Sequence, residues 1–213
     1  MKLVFLLVFI AVIAFSGCKK NDNQNDPITK ESVLAYYPLS VGNYWIYQTS
    51  NCDSTWTNCN SIRIDSNFVS KDTLINGKLY YKLEGRKIIG NEPFYLRDSL
   101  DYIVDINGKI RFSNTDFNSK FNEEYVIPNG DTLYHWYYKM QQDPVIFSVP
   151  LGEFLCLDNK LSFFRRNENF THEFNGHTAF SKGVGIVYEN ALFASTTGGI
   201  KRELVAFDFL ISD

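Results

Sequence analysis

Histidine, methionine and cysteine are scarce in this chain of 213 residues, with three, two and four copies. So few ligating side chains, none of them spaced as a zinc knuckle or finger, leave little from which to build a metal centre. No Gly-Lys-Ser phosphate loop, no Gly-x-Ser-x-Gly elbow and no His-Glu-x-x-His helix is present, so no residue is nominated as catalytic. Clustered positive charge is missing too. Basic residues adjoin only as pairs, Lys19-Lys20, Arg86-Lys87, Arg165-Arg166 and Lys201-Arg202, within 21 basic against 24 acidic residues. A nucleic-acid partner, whose phosphates demand clustered Lys and Arg, is thereby disfavoured. Long helical periodicity is absent, residues 28–36 and 114–122 allowing at most a short helical turn. A single unbroken apolar run, Leu3 to Phe15, is too short for the roughly 20 residues that a spanning helix needs.

That apolar run is framed by Lys2 before it and by Ser16, Gly17 and Cys18 after it. A basic start, a short apolar stretch and small residues before a cut are the parts of a secretory signal. Their order resembles a bacterial lipoprotein signal with its lipobox, with Phe15 where leucine is usual. The resemblance implies removal of residues 1–17 and acylation of Cys18 as the anchor. Each buried methylene adds about 0.8 kcal/mol, so two or more acyl chains hold firmly where one does not. From Lys19 to about Glu31 the chain is Asn, Asp, Gln and Lys with Pro27, and it cannot bury enough surface to offset its ordering entropy. The organisation expected is a signal over 1–17, a lipidated cysteine and flexible tether over 18–33, and one β-rich ectodomain over 34–213. Lys19 rather than Asp after the cysteine favours the outer membrane, by analogy with proteobacterial sorting, and leaves the leaflet open.

Beyond the tether the fold signals are turns. Asn76-Gly77, Asn107-Gly108, Asn129-Gly130 and Asn175-Gly176 each separate runs rich in aromatic and β-branched residues. Asn-Gly suits a two-residue type I′ turn, both of whose central positions have positive φ. Two-residue loops would set Leu74 against Leu79, Ile103 against Phe112, Tyr125 against Tyr134 and Phe174 against His177. Strands are predicted throughout, including a single strand over 94–106 and another over 200–211. In the latter, simple alternation puts Leu204 and Ala206 on one face and Val205, Phe207 and Phe209 on the other. Both faces of such a strand need cover. The fold class is therefore all-β, an antiparallel meander forming a strongly curved sheet, a sandwich or a partly open barrel.

Cys52 and Cys59 flank a short polar loop and, in an exported chain, are expected to form a disulfide. Cys156, within Phe154-Leu155-Cys156-Leu157, reads as a small buried hydrophobe. His172 and His177 straddle the fourth Asn-Gly pair and in that register lie diagonally on one face, where two imidazoles could share a metal, but no third ligand accompanies them. His135 sits in an aromatic run explained by packing. No metal and no cofactor is expected. Aromatic residues make up 16% of the chain, and Tyr and Trp on a concave sheet can line a ligand site or stack on sugars. Trp45, Tyr47, Trp136 and Tyr138 are the candidate ligand contacts, Trp45 serving equally as a core anchor.

The segment Tyr36 to Tyr47, together with Val149-Pro150-Leu151-Gly152-Glu153-Phe154, Gly183 to Tyr188 and Arg202-Glu203-Leu204-Val205, resembles a group of uncharacterised extracytoplasmic lipoproteins common in Bacteroidota. That resemblance implies location and architecture and no activity. Asp72-Thr73-Leu74, Asp98-Ser99-Leu100 and Asp131-Thr132-Leu133 resemble the short O-glycosylation acceptor of the same phylum, which would place sugars on Thr73, Ser99 and Thr132. Three functional readings follow. The first is a non-enzymatic envelope lipoprotein that binds a protein or glycan or has a structural role. The second is a carrier of a lipid or other hydrophobic ligand in a sheet cavity, and the third is an unidentified envelope hydrolase.

Overall fold

Alternation of aromatic and β-branched with polar residues turns nearly every described segment into a strand. The computed structural model describes residues 31–88, 94–127, 134–165, 173–193 and 198–209. A 3₁₀ turn, Val33–Ala35, is capped by Ser32, whose hydroxyl accepts from the Leu34 N–H. The strands that follow are β1 (Tyr44–Cys52), β2 (Cys59–Ile75), β3 (Lys78–Gly85), β4 (Phe94–Ser99), β5 (Tyr102–Asp105), β6 (Ile110–Ser113) and β7 (Phe121–Val126). Then come β8 (Tyr134–Met140), β9 (Val145–Val149), β10 (Gly152–Arg165), β11 (Glu173–Gly176), β12 (Thr178–Ser181), β13 (Gly185–Leu192) and β14 (Gly199–Asp208).

All pairings are antiparallel, and the strands follow the order β6-β5-β4-β3-β2-β1-β14-β13-β12-β10-β8-β7, with β9 and β11 also on β10. The sheet curls into a nearly closed barrel. At its seam no backbone ladder joins β6 to β7. Instead the Asn122 amide bonds Ile110 twice, accepting from its N–H at 3.1 Å and donating to its carbonyl at 2.7 Å. Asn122 can do this because it is the extra residue of a bulge, with φ 51°, and so stands off the ladder to β8. Lys109 and Glu124 add an ion pair at 2.5 Å across the same seam.

One end of the barrel is filled. Trp45, 1% exposed, donates its indole N–H to the Val184 carbonyl at 2.6 Å and packs edge-on against Tyr37 and Phe209. Phe112 and Phe180 meet beside them in a tilted pair with centroids 4.6 Å apart, in one buried cluster with Leu83, Leu96 and Leu204. Gly185, at φ 102°, is what lets β13 approach, since a Cβ there would stand 3.0 Å from the Trp45 indole nitrogen. Cys52 is bonded to Cys59, directly opposite it at the end of the β1–β2 ladder.

The all-β expectation holds, while several local expectations change. Leu74 does face Leu79 around a turn with positive φ at Asn76 and Gly77. Ile103 faces Phe112, but through a three-residue connection in which Asp105 accepts from Gly108 and only Gly108 has positive φ. Asn129-Gly130 lies outside the described residues. Its expected register is met at Phe121 opposite Tyr138 and slips by one beyond the Asn122 bulge, so Tyr125 faces His135 and not Tyr134. Asn175-Gly176 is no turn at all. β11 and β12 run on as successive pieces beside β10 in one register, so Phe174 faces Phe163 and not His177. Glycine is needed at 176 for closeness, because a Cβ would meet Leu161 at 3.2 Å and the Asn190 carbonyl at 3.3 Å. The single strand expected over 94–106 is a hairpin turning at Leu100, which has φ 57° and is 93% exposed. In β14 a register shift opposite Ile46 and Tyr47 skips Val205, which brings Leu204 to the same inner face as Phe207. Alternation from sequence had separated them. Residues 114–120 form bends around Ser113 and Asp116 without a helix.

Candidate ligand-binding cavity

Next to the filled end the barrel stays open inside. Directly opposed residues of antiparallel strands share a face, and Glu189, Arg202, Thr49 and Arg63 stand in one such row across β13, β14, β1 and β2. Two of them, Glu189 and Arg202, line an interior cavity of about 290 Å³ together with Tyr47, Asn67, Tyr138 and Asn159. Leu96, Leu161, Phe180 and Ile186 supply apolar wall, and Lys87, Arg111 and His177 add further polar groups.

Arg202 dominates this space. It is 2% exposed, its Nη1 donates to Glu189 Oε1, and the ring of Tyr47 lies against its guanidinium carbon at 4.2 Å. Burial pulls its pKa down, but the Glu189 carboxylate, Tyr47 and Asp65 outweigh that, so the net shift is upward and the charge is held. Tyr47 donates its hydroxyl to the Ile186 carbonyl at 2.9 Å, and burial raises its pKa well above the usual phenol value. Tyr138 is raised for the same reason. Asn159 donates to the Arg111 carbonyl at 3.0 Å, which fixes its amide orientation and points its Oδ1 elsewhere. Arg111 is tied to Asp105 at 2.6 Å, and His177 Nδ1 lies 2.7 Å from Asp158 Oδ2. Among the described residues, Glu189 is the only carboxylate lining the cavity. Four buried atoms of the lining nevertheless have no hydrogen-bond partner among the described residues: Asn67 Oδ1, Asn159 Oδ1, Arg202 Nε and Arg202 Nη2.

No family model matches this chain, and no curated protein matches it. Two solved structures are similar to it. One, from Bacteroides fragilis NCTC 9343, is described as an exported protein with a YmcC-like fold; it is 9% identical over 80% of this chain and 97% of its own, with a TM-score of 0.48. The other, from Parabacteroides distasonis ATCC 8503, is described as a lipoprotein; it is 11% identical over 80% of this chain and 96% of its own, with a TM-score of 0.42. At such distances the reading of the cavity rests on this chain's own residues.

Of the four aromatic candidates, Tyr47 and Tyr138 face the cavity, Trp45 is in the filled end, and Trp136 stacks at 6.3 Å on Phe163 away from the cavity lining. His135 stacks on Tyr125 at 4.2 Å and meets Glu123 at 2.9 Å. Cys156 is 1% exposed, and burial followed by the nearby charge of Asp158 pushes its thiol up to about 12. Thr73 in β2 and Ser99 at the end of β4 are half-buried. Cys18, Thr132, His172 and Arg166 lie outside the described residues, and no group of three or more His, Cys, Asp or Glu among the described residues could hold a metal ion. Sequence reasoning missed Arg202, Glu189, Asn67 and Asn159. A signal for the first existed: Arg202 is two residues from Leu204 and so has the parity of the core face, opposite to its charged neighbours Lys201 and Glu203.

Proposed function

We propose that the chain is a lipid-anchored lipoprotein of the bacterial envelope, held in the outer membrane through Cys18, whose barrel binds a small amphipathic ligand non-covalently. The observation that supports binding is the interior cavity, walled by tyrosines and aliphatic side chains and carrying buried polar atoms that have no partner among the described residues. Buried polar groups in folded proteins are almost always satisfied, so several open ones around one space favour a missing guest. Size narrows the guest. About 290 Å³ lies at the lower edge of the roughly 300–1,000 Å³ range of ligand sites and equals some ten waters at about 30 Å³ each. The ligand is thus smaller and more polar than a membrane lipid.

A native mass spectrum of the full chain, extracted from its own membranes in mild detergent, tests both halves. The expected result is an acylated mature chain beginning at Cys18 that carries one small adduct, released on denaturation. An unacylated chain would remove the anchor. A chain with no adduct, and no thermal stabilisation by any fraction of a small-molecule envelope extract, would remove the binding role.

A further inference from the structure

Nε and Nη2 of Arg202 lie on one edge of the planar guanidinium, and neither has a partner among the described residues. Its other terminal nitrogen, Nη1, is taken by Glu189, and one face is covered by the Tyr47 ring. What remains is a two-pronged, in-plane donor edge inside a 2% exposed residue. Such an edge matches the two oxygens of a carboxylate, which it binds through parallel charge-assisted hydrogen bonds. Among the described residues the lining carries Lys87, Arg111 and Arg202 against the carboxylate of Glu189, with Arg111 paired to Asp105 behind it. The open acceptors, Asn67 Oδ1 and Asn159 Oδ1, call for donors on the same guest.

Building on the cavity reading above, we propose that the ligand is a small carboxylate bearing hydroxyl or N–H donors, gripped side-on by Arg202 and hydrogen-bonded by Asn67 and Asn159. Those two nitrogens have almost no accessible surface, so an anion reaches them as lining side chains move aside. A hydroxylated sugar acid and an acylated amino acid share this chemistry.

Calorimetry on the full chain separates them, with glucuronate and N-acetylserine as probes and glucose and N-acetylserinamide as their matched neutral controls. At least one acid is expected to bind, and to bind more tightly than its neutral partner, and which one does so identifies the source. Arg202→Lys keeps the charge but loses the fork, and should weaken the acid about ten- to hundredfold and narrow its preference over the neutral control. The paired variant Arg202→Met with Glu189→Gln, which leaves no lone charge, should abolish the preference for the acid in a chain whose melting confirms that it is folded. Equal binding of acid and neutral probes, or an undiminished preference in both variants, overturns the proposal. A native adduct that proves to lack an acid group also overturns it and leaves the cavity reading standing. A chain that carries no adduct and binds no probe removes both.

Discussion

The two ends of strand β1 meet different surroundings. Trp45 is packed on all sides by Tyr37, Phe209 and the Val184 carbonyl that takes its N–H. Four residues along, Thr49 and its neighbour Arg202 are just as buried, yet two donors of Arg202 have nothing to bond among the described residues. Both ends are closed to solvent, and burial alone does not distinguish them. Satisfaction does. Packed apolar contacts complete a structure by themselves, whereas an incomplete polar cluster holds free energy that a partner can release.

Alkaline titration attacks both ends at once and should have the largest effect. Burial raises Tyr37 at the filled end and Tyr47 and Tyr138 at the cavity, takes Tyr188 from 10.0 to about 12, and takes Cys156 from 9.0 to about 12. Each folded value lies above the unfolded one, so the stabilisation is complete below the unfolded values and is lost as pH rises through the folded ones. Circular dichroism should stay flat to about pH 9 and fall cooperatively between about 10 and 12; a native spectrum above that range would contradict it. Trp45→Ala probes the filled end alone. Removing a buried aromatic costs about 3–5 kcal/mol and here also strips the Val184 carbonyl of its donor, so urea midpoints should drop sharply.

At the cavity, single and paired substitutions should part company. Arg202→Ala strands the Glu189 carboxylate and is expected to cost about 3 kcal/mol, whereas the paired Arg202→Met, Glu189→Gln chain should be neutral or slightly more stable. Equal losses from both would mean that the ion pair is structural and not held for a guest. Smallest is Asn122→Ala at the seam, which removes two hydrogen bonds to Ile110 at about 0.5–1.5 kcal/mol each. Hydrogen exchange should quicken in β6 and β7 and stay unchanged in β1 and β14.

Signals that act within a few residues were legible in the sequence. Asn76-Gly77 makes its turn, Cys52 and Cys59 are bonded, and the curved all-β architecture follows from strand patterning. Features set by distant neighbours were not. Gly176 serves closeness to Leu161 and Asn190 rather than a turn, and nothing in Asn175-Gly176 separates those uses. Leu100 turns a hairpin in a left-handed conformation that leucine seldom adopts. The skipped Val205 reverses the alternation that would have assigned faces along β14. The cavity was legible only in part, through Tyr47 and Tyr138, because aromatic content marks an inner wall while unpaired polar atoms are a property of three-dimensional neighbours.

The anchoring of Trp45 to Val184, 139 residues away in sequence, has a consequence in time. Synthesis delivers the chain from its beginning onward, so β1 emerges long before β13, β14 and the carbonyl that will hold its indole. Meanwhile β1 has one local companion, β2, joined to it by the Cys52–Cys59 bond across a separation of only seven residues. The hairpin can therefore be sealed in register while its other edge still lacks the partner that completes it. Contacts of such span close slowly, and through that wait an aromatic edge strand stands uncovered.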